Sequence, residues 1–317
     1  MIKRIVSIIC IIAVCAAGIG IYVVMSGGNV SEKPDTLSQQ PLPDPYATEN
    51  DYREDIFFHQ KHWWVDYGTV HKDVSYYSHI AREYKRCNIL LPANYDAKKA
   101  YPVLYLFHGF HGQPADHIDE HSYLTILYGN LLYKGLAKEM IIVSADMYTA
   151  KLADKEKKTQ EQLRFIYDKC VDDLKLDLMP YIQAHYSIKT GKENTAVAGI
   201  SEGGAEALFA GFKWLGEFGY IGSFAPNPGV IHTKDFVGTY WDKTVFEQFP
   251  QPQPGEELLY LYMSVGNKDP HSVNVTREYQ KALDEIGVQN QTDFVKGFGH
   301  DMSFWKACFY NYLQKIF

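Results

Sequence analysis

"TAVAGISEGGAEALFAGF", Thr195 to Phe212, is the stretch on which the fold turns. An apolar strand-like run ends in a glycine-rich turn. A helix-like run follows, with Ala205, Leu208, Phe209 and Phe212 on one face. The turn fits G-x-S-x-G, a pattern with so few fixed residues that chance supplies it often. It gains meaning at a strand-to-helix junction, where a sharp turn strains the serine backbone and exposes its hydroxyl. Gly199 and Gly203 would let neighbouring segments approach closely. The Glu202 N–H would point at a developing oxyanion from the helix N-terminus. As a carboxylate, Glu202 also suits the first turn of a helix. The competing reading of Ser201 is an ordinary serine in a glycine-rich turn.

Outward from this stretch, strand-like and helix-like segments alternate. Lys85 to Pro92, Tyr101 to Gly109, Met140 to Asp146 and Glu257 to Gly266 read as buried strands, and "QTDFVKG" as a short one. Leu163, Ile166, Cys170, Leu174, Leu178 and Ile182 recur at helical spacing from about Gln160 to Ala184. Val275, Tyr279, Leu283 and Ile286 mark a helix closed by Gly287, and "MSFWKACFYNYLQKIF" a closing helix. The alternation predicts an α/β domain with a mostly parallel central sheet and helices on both faces. Sites in such sheets form at the carboxyl ends of the strands.

An elbow serine needs an acid and a base later in the chain. "SVGNKDP" puts Asp269 just past a strand, and "GFGHDM" puts His300 between the last strand and the closing helix. Asp301 is a competing acid, although a sequence neighbour rarely points at the adjacent ring. "FHGFHG", Phe107 to Gly112, follows an apolar strand where this architecture places its second oxyanion donor. Phe110 N–H is the first choice and His111 the second. Tyr148, Asn227 and Trp241 follow strands and are the candidate pocket residues.

Two segments compete for attention. "HIDEH", His117 to His121, fits the H-x-x-E-H pattern of inverted zincins, with Glu120 as base, if it is helical. No third ligand is evident, and a solvated polar loop is the expected reading. "HQKHWW", His59 to Trp64, is either a sugar-stacking platform or a half-buried start of the domain, and the second is expected.

"YPVLYLFHGFHG", "GISEGG", "SFAPNPG", "GNKD" and "GHDMSFWKACFYNYL" together resemble the esterase D-like α/β-hydrolases of carbohydrate esterase family 1. The likeness is greatest to the feruloyl esterase domains of bacterial xylanases, and it covers roughly Lys85 to Phe317. It implies the α/β-hydrolase fold and no cofactor or metal. It also implies that Ser201 is acylated, His300 is the base, Asp269 orients it, and Phe110 and Glu202 donate to the oxyanion. The implied substrates are carboxylic esters, feruloyl or acetyl, on plant cell-wall polysaccharide. Relatives that pass the acyl group to a sugar hydroxyl make acyl transfer an alternative. A catalytically dead fold that binds carbohydrate or a partner is the reading from another class. Glu202 departs from the Met or other neutral residue common after the serine in this family.

Bulk composition bounds the rest. A net charge of -7 offers no footprint for nucleic acid. Lys3 and Arg4 precede Ile5 to Met25, which carries no charge and has about the 20 apolar residues that span a bilayer. An uncleaved signal anchor is expected, with a signal peptide cut after Ala17 as the alternative. "IAVC" resembles a lipoprotein box, but Val14 is too bulky for one. Each reading exports the domain and makes the membrane a partner of residues 1–25. Residues 26–50, rich in Pro, Gly, Ser and charge, read as a flexible linker, and 51–317 as one esterase domain. Cys87, Cys170 and Cys308 cannot all pair. Buried free thiols are expected, with one disulfide as the alternative. The sequence leaves the oligomeric state open.

Overall fold

The computed structural model describes residues 56–317. The expected anchor (1–25), linker (26–50) and first residues of the domain lie outside the described residues. Among the described residues no helix is long and apolar enough to cross a membrane.

Eight strands form one sheet: β1 (Thr69–Ser78), β2 (Glu83–Leu91), β3 (Val103–Phe107), β4 (Ile141–Ala145), β5 (Thr195–Ile200), β6 (Tyr220–Phe224), β7 (Tyr260–Gly266) and β8 (Gln291–Val295). Their order is β1-β2-β4-β3-β5-β6-β7-β8. β2 runs antiparallel to both β1 and β4, and every pairing from β4 to β8 is parallel. The mostly parallel sheet expected from the alternation is therefore present. β3 shows why it needs cover on both faces. Val103, Tyr105 and Phe107 enter one core and Leu104 and Leu106 the other, all buried.

The helices are α1 (Tyr123–Tyr133), α2 (Gln160–Tyr167), α3 (Cys170–Asp173), α4 (Met179–His185), α5 (Glu202–Lys213), α6 (Pro270–Glu285) and α7 (Met302–Leu313). One core collects Leu163, Leu174 and Ile182 with Leu208 and Phe209 of α5 and Tyr279 of α6. The other packs Leu124 and Leu127 of α1 against Phe304 and Phe309 of α7. The continuous helix expected over Gln160–Ala184 is instead α2, α3, a wider π-type turn over Leu174–Leu178, and α4. Pro180 accounts for the wide turn. It has no N–H for the carbonyl four residues back, and its ring crowds that carbonyl, so the ladder widens just before it.

A buried polar tie fixes α3 to the sheet. Lys85 Nζ donates to Asp173 Oδ2 at 2.6 Å and to Thr149 Oγ1 at 2.8 Å, and Tyr76 Oη donates to the same Asp173 oxygen at 2.6 Å. Cys87, Cys170 and Cys308 are free and buried, which settles the choice between thiols and a disulfide.

Candidate active site

Ser201 sits between β5 and α5 with φ 54° and ψ -118°, a region costly for a residue with a Cβ. The surroundings over-determine that conformation. Its N–H donates to Phe224 O at 2.8 Å, and its carbonyl accepts from Gly204, Ala205 and Asn227 N–H groups. The flanking glycines are sterically required. A Cβ on Gly199 would lie 2.1 Å from Gly203 O, and one on Gly203 would lie 2.4 Å from Phe107 O. The helix therefore starts pressed against the ends of β5 and β3, and the serine is pushed out at the turn.

The candidate acid and base arrive from later strand ends. Asp269 follows β7, is buried, and caps α6 by accepting from Ser272 N–H at 3.1 Å through Oδ1. Its Oδ2 lies 2.6 Å from His300 Nδ1, while His300 Nε2 lies 3.0 Å from Ser201 Oγ. A carboxylate only accepts, so Nδ1 carries the proton and Nε2 is free to take one from the serine. Burial opposes ionisation of Asp269, but the hydrogen bonds from His300 and Ser272 outweigh it and hold the carboxyl below its ordinary range. Trp305 meets the imidazole edge-on at 4.8 Å. Asp301 serves elsewhere: it caps α7 by accepting from Ser303 and Phe304 N–H groups.

The turn after β3 closes the serine's other flank. A Cβ on Gly109 would sit 3.7 Å from Ser201 Cβ. Phe110 is the next residue, and its ring packs edge-on to Tyr167 at 5.3 Å. Glu202 opens α5, so its N–H has no acceptor within the helix. His108 was not among the expected site residues. Its Nδ1 lies 2.8 Å from Gly109 O, and its Nε2 accepts from Met147 N–H at 3.1 Å. It thereby braces this turn against the loop after β4. The first histidine of "FHGFHG" was the signal for it.

The pocket candidates separate. Asn227 is at the nucleophile: its Oδ1 is 3.5 Å from Ser201 Oγ, and its Nδ2 donates to Glu202 Oε2 at 2.8 Å. Trp241 is half-buried and stacks over the Arg164 guanidinium at 5.5 Å. Arg164, only 2% exposed, donates to Gly229 and Lys243 carbonyls and so holds the segment after Asn227. Tyr148 is buried after β4, with its hydroxyl donating to Lys151 O at 3.3 Å. Glu202 joins Glu206 and Asp168 in a buried carboxyl cluster beside Arg164. Burial raises all three, and Glu202 is pushed up to about 8.

"HIDEH" is not helical, so its histidines share no helix face. His117 is buried, with Nδ1 2.8 Å from Tyr123 Oη and Nε2 3.3 Å from Phe107 O. The expected solvated polar loop holds for Asp119 to His121 and is corrected at His117 and Ile118, which face the core. Asp119 and Glu120 pair with Lys72 at the surface. In "HQKHWW", Trp63 is 92% exposed and Trp64 stands 4.9 Å from the His62 ring, so the segment is more open than a half-buried start.

A serine after β5, an aspartate after β7 and a histidine after β8 match the chain order of the α/β-hydrolase triad. The chain belongs to the esterase family whose model, described as "Putative esterase", matches residues 78–316. It is similar to a CE1 ferulic acid esterase from Anaeromyces mucronatus, solved in complex with ferulic acid. The two share 31% identity over 82% of this chain and 94% of that one, at a TM-score of 0.74. The feruloyl esterase module from Clostridium thermocellum, complexed with sinapinate, shares the fold at a TM-score of 0.65 and 14% identity, over 83% of this chain and 92% of that one. An endo-1,4-beta-xylanase/feruloyl esterase of Xylanibacter ruminicola is 25% identical over 272 residues, which is 83% of this chain. The chain spans about a third of that relative's length, 33%. The family is that of the esterases and the fold that of the α/β-hydrolases.

Proposed function

We propose that this chain is an exported serine esterase that removes acyl groups, feruloyl or acetyl, from plant cell-wall polysaccharide through an acyl-serine. The observation that carries the reading is the relay from Ser201 Oγ to His300 Nε2 at 3.0 Å and from His300 Nδ1 to Asp269 Oδ2 at 2.6 Å. His300 takes the Ser201 proton as the serine oxygen attacks the ester carbonyl. The tetrahedral oxyanion accepts from the backbone N–H groups of Phe110 and Glu202. Collapse breaks the bond to the alcohol, whose oxygen takes the proton back from Nε2. Water then repeats the sequence on the acyl-serine. Asp269 fixes the imidazole tautomer throughout and stabilises its cationic form.

The polysaccharide is supported by the Xylanibacter ruminicola relative, whose name pairs feruloyl esterase with xylanase. Export is supported by Lys3 and Arg4 ahead of the uncharged run Ile5–Met25. The test is hydrolysis of chromogenic acetyl and butyryl esters and of methyl ferulate by the full-length chain, beside Ser201→Ala. A fluorophosphonate serves as the label. Turnover and labelling that both vanish in Ser201→Ala establish the nucleophile; a folded wild type that neither turns over nor labels sinks the esterase.

A further inference from the structure

A groove of about 580 Å³ lies between the loop that follows β3 and the start of α7. Asp116, His121, Tyr123 and Ile126 line it from the loop and α1, and Met302 and Lys306 from α7. Two of its lining residues belong to segments that carry the site. Met302 follows His300 by two residues. Asp116 accepts the Gln113 N–H at 2.9 Å, further along the loop whose Gly109 faces Ser201. Nothing in the proposed chemistry uses this groove. Arg164, Asn227 and Trp241 belong to the strand ends β5 and β6 and to α2, away from α1 and α7.

An ester has two arms, and the proton relay says which one lies on the histidine's side. When the tetrahedral intermediate collapses, the bond from carbon to the alcohol oxygen breaks, and that oxygen receives its proton from His300 Nε2. The alcohol must therefore stand next to the imidazole. Met302, on the groove's wall, opens the helix that directly follows the histidine's loop. Its volume falls within the roughly 300–1,000 Å³ of ligand clefts, more than a small alcohol fills. Its lining also alternates in chemistry. Tyr123, Ile126 and Met302 offer apolar faces to the C–H side of a sugar ring, while Asp116, His121 and Lys306 offer hydroxyl partners of both polarities.

We infer that this groove is the alcohol subsite and holds the sugar chain that carries the ester. The inference rests on the esterase reading above. It is tested with the full-length chain and xylopentaose, which has no ester, by calorimetric titration. Methyl ferulate is then compared with a feruloylated oligosaccharide in kcat/KM. Wild type binds xylopentaose saturably. Ile126→Trp, which fills the groove, weakens binding at least about tenfold and lowers the oligosaccharide-to-methyl kcat/KM ratio by a similar factor. Lys306→Ala acts in the same direction and serves alone if the thermal melt of Ile126→Trp shows misfolding. Absence of binding, or binding that both substitutions leave untouched, overturns the subsite even where methyl ferulate is hydrolysed. Binding that responds to both substitutions in a protein that cleaves no ester keeps the sugar site and removes the esterase.

Discussion

Asn227 donates from Nδ2 to Glu202 Oε2 at 2.8 Å, so the side chain after the nucleophile orients an amide whose other end faces Ser201 Oγ. The carboxyl at Glu202 is buried among Glu206, Asp168 and Arg164, and burial pushes it up to about 8. Burial thus favours its protonated form. In that form it keeps an acceptor oxygen for Asn227.

Ionisation of Glu202 above a pH of about 8 would place a negative charge beside the oxyanion and slow the reaction. The expected kcat profile falls on its alkaline side near that pH, and Glu202→Gln removes the fall. Stability follows the same group. Its folded value lies above the unfolded one, so its contribution is full below the ordinary glutamate range and is lost as pH rises through about 8. Thermal melts from pH 5 to 9 should therefore slope less steeply for Glu202→Gln. Glu206 and Asp168, shifted the same way, keep part of the slope. Parallel slopes for the two proteins would remove Glu202 from the account.

Ser201→Ala should lower kcat on methyl ferulate by at least about 1000-fold, since nucleophile, base and acid act as a unit. The melting temperature should hold or rise, because alanine keeps the backbone bonds to Phe224, Gly204 and Asn227. Retained turnover would assign the chemistry to another residue.

Asp269→Asn separates catalysis from folding. The carboxylate both caps α6 and orients His300, and asparagine caps a helix about as well. The variant should melt within a few degrees of wild type yet lose roughly 10³–10⁴-fold in kcat through the wrong imidazole tautomer. A small kinetic loss would mean that a different group holds the ring.

Gly203→Ala should destabilise by about 1–3 kcal/mol, read from urea unfolding, because its Cβ would meet Phe107 O at 2.4 Å and His108 O at 2.5 Å. Both carbonyls are backbone and cannot step aside without moving the turn that faces the serine. Activity should fall with stability; a variant as stable as wild type would show that the elbow has slack.

The site was legible because each triad residue stands in a short polar turn just after an apolar run, and the spacing alone ordered them. What the sequence concealed has local causes. β1 is an edge strand with Lys72 and Asp73 at a register shift between His71 and Val74, so it shows no clean alternation. β6 is five residues interrupted by Gly222 at its centre, too short a run to stand out. The strand expected from Glu257 begins at Tyr260, because Leu259 and Tyr260 N–H groups both turn to Gly219 O. The buried carboxyl cluster was invisible for a different reason. Glu206 and Asp168 look like ordinary surface acids until two helices bring them together.

The three interior thiols have a use beyond packing. Burial pushes Cys87 up to about 12 and Cys170 and Cys308 well above the ordinary thiol range, so none offers the thiolate that reagents attack. Cys87 and Cys170 lie in the core on one face of the sheet and Cys308 in the core on the other. The rate at which each is alkylated therefore counts how often its own side of the molecule opens. The ratio of those rates tells whether the two layers come apart together or one at a time.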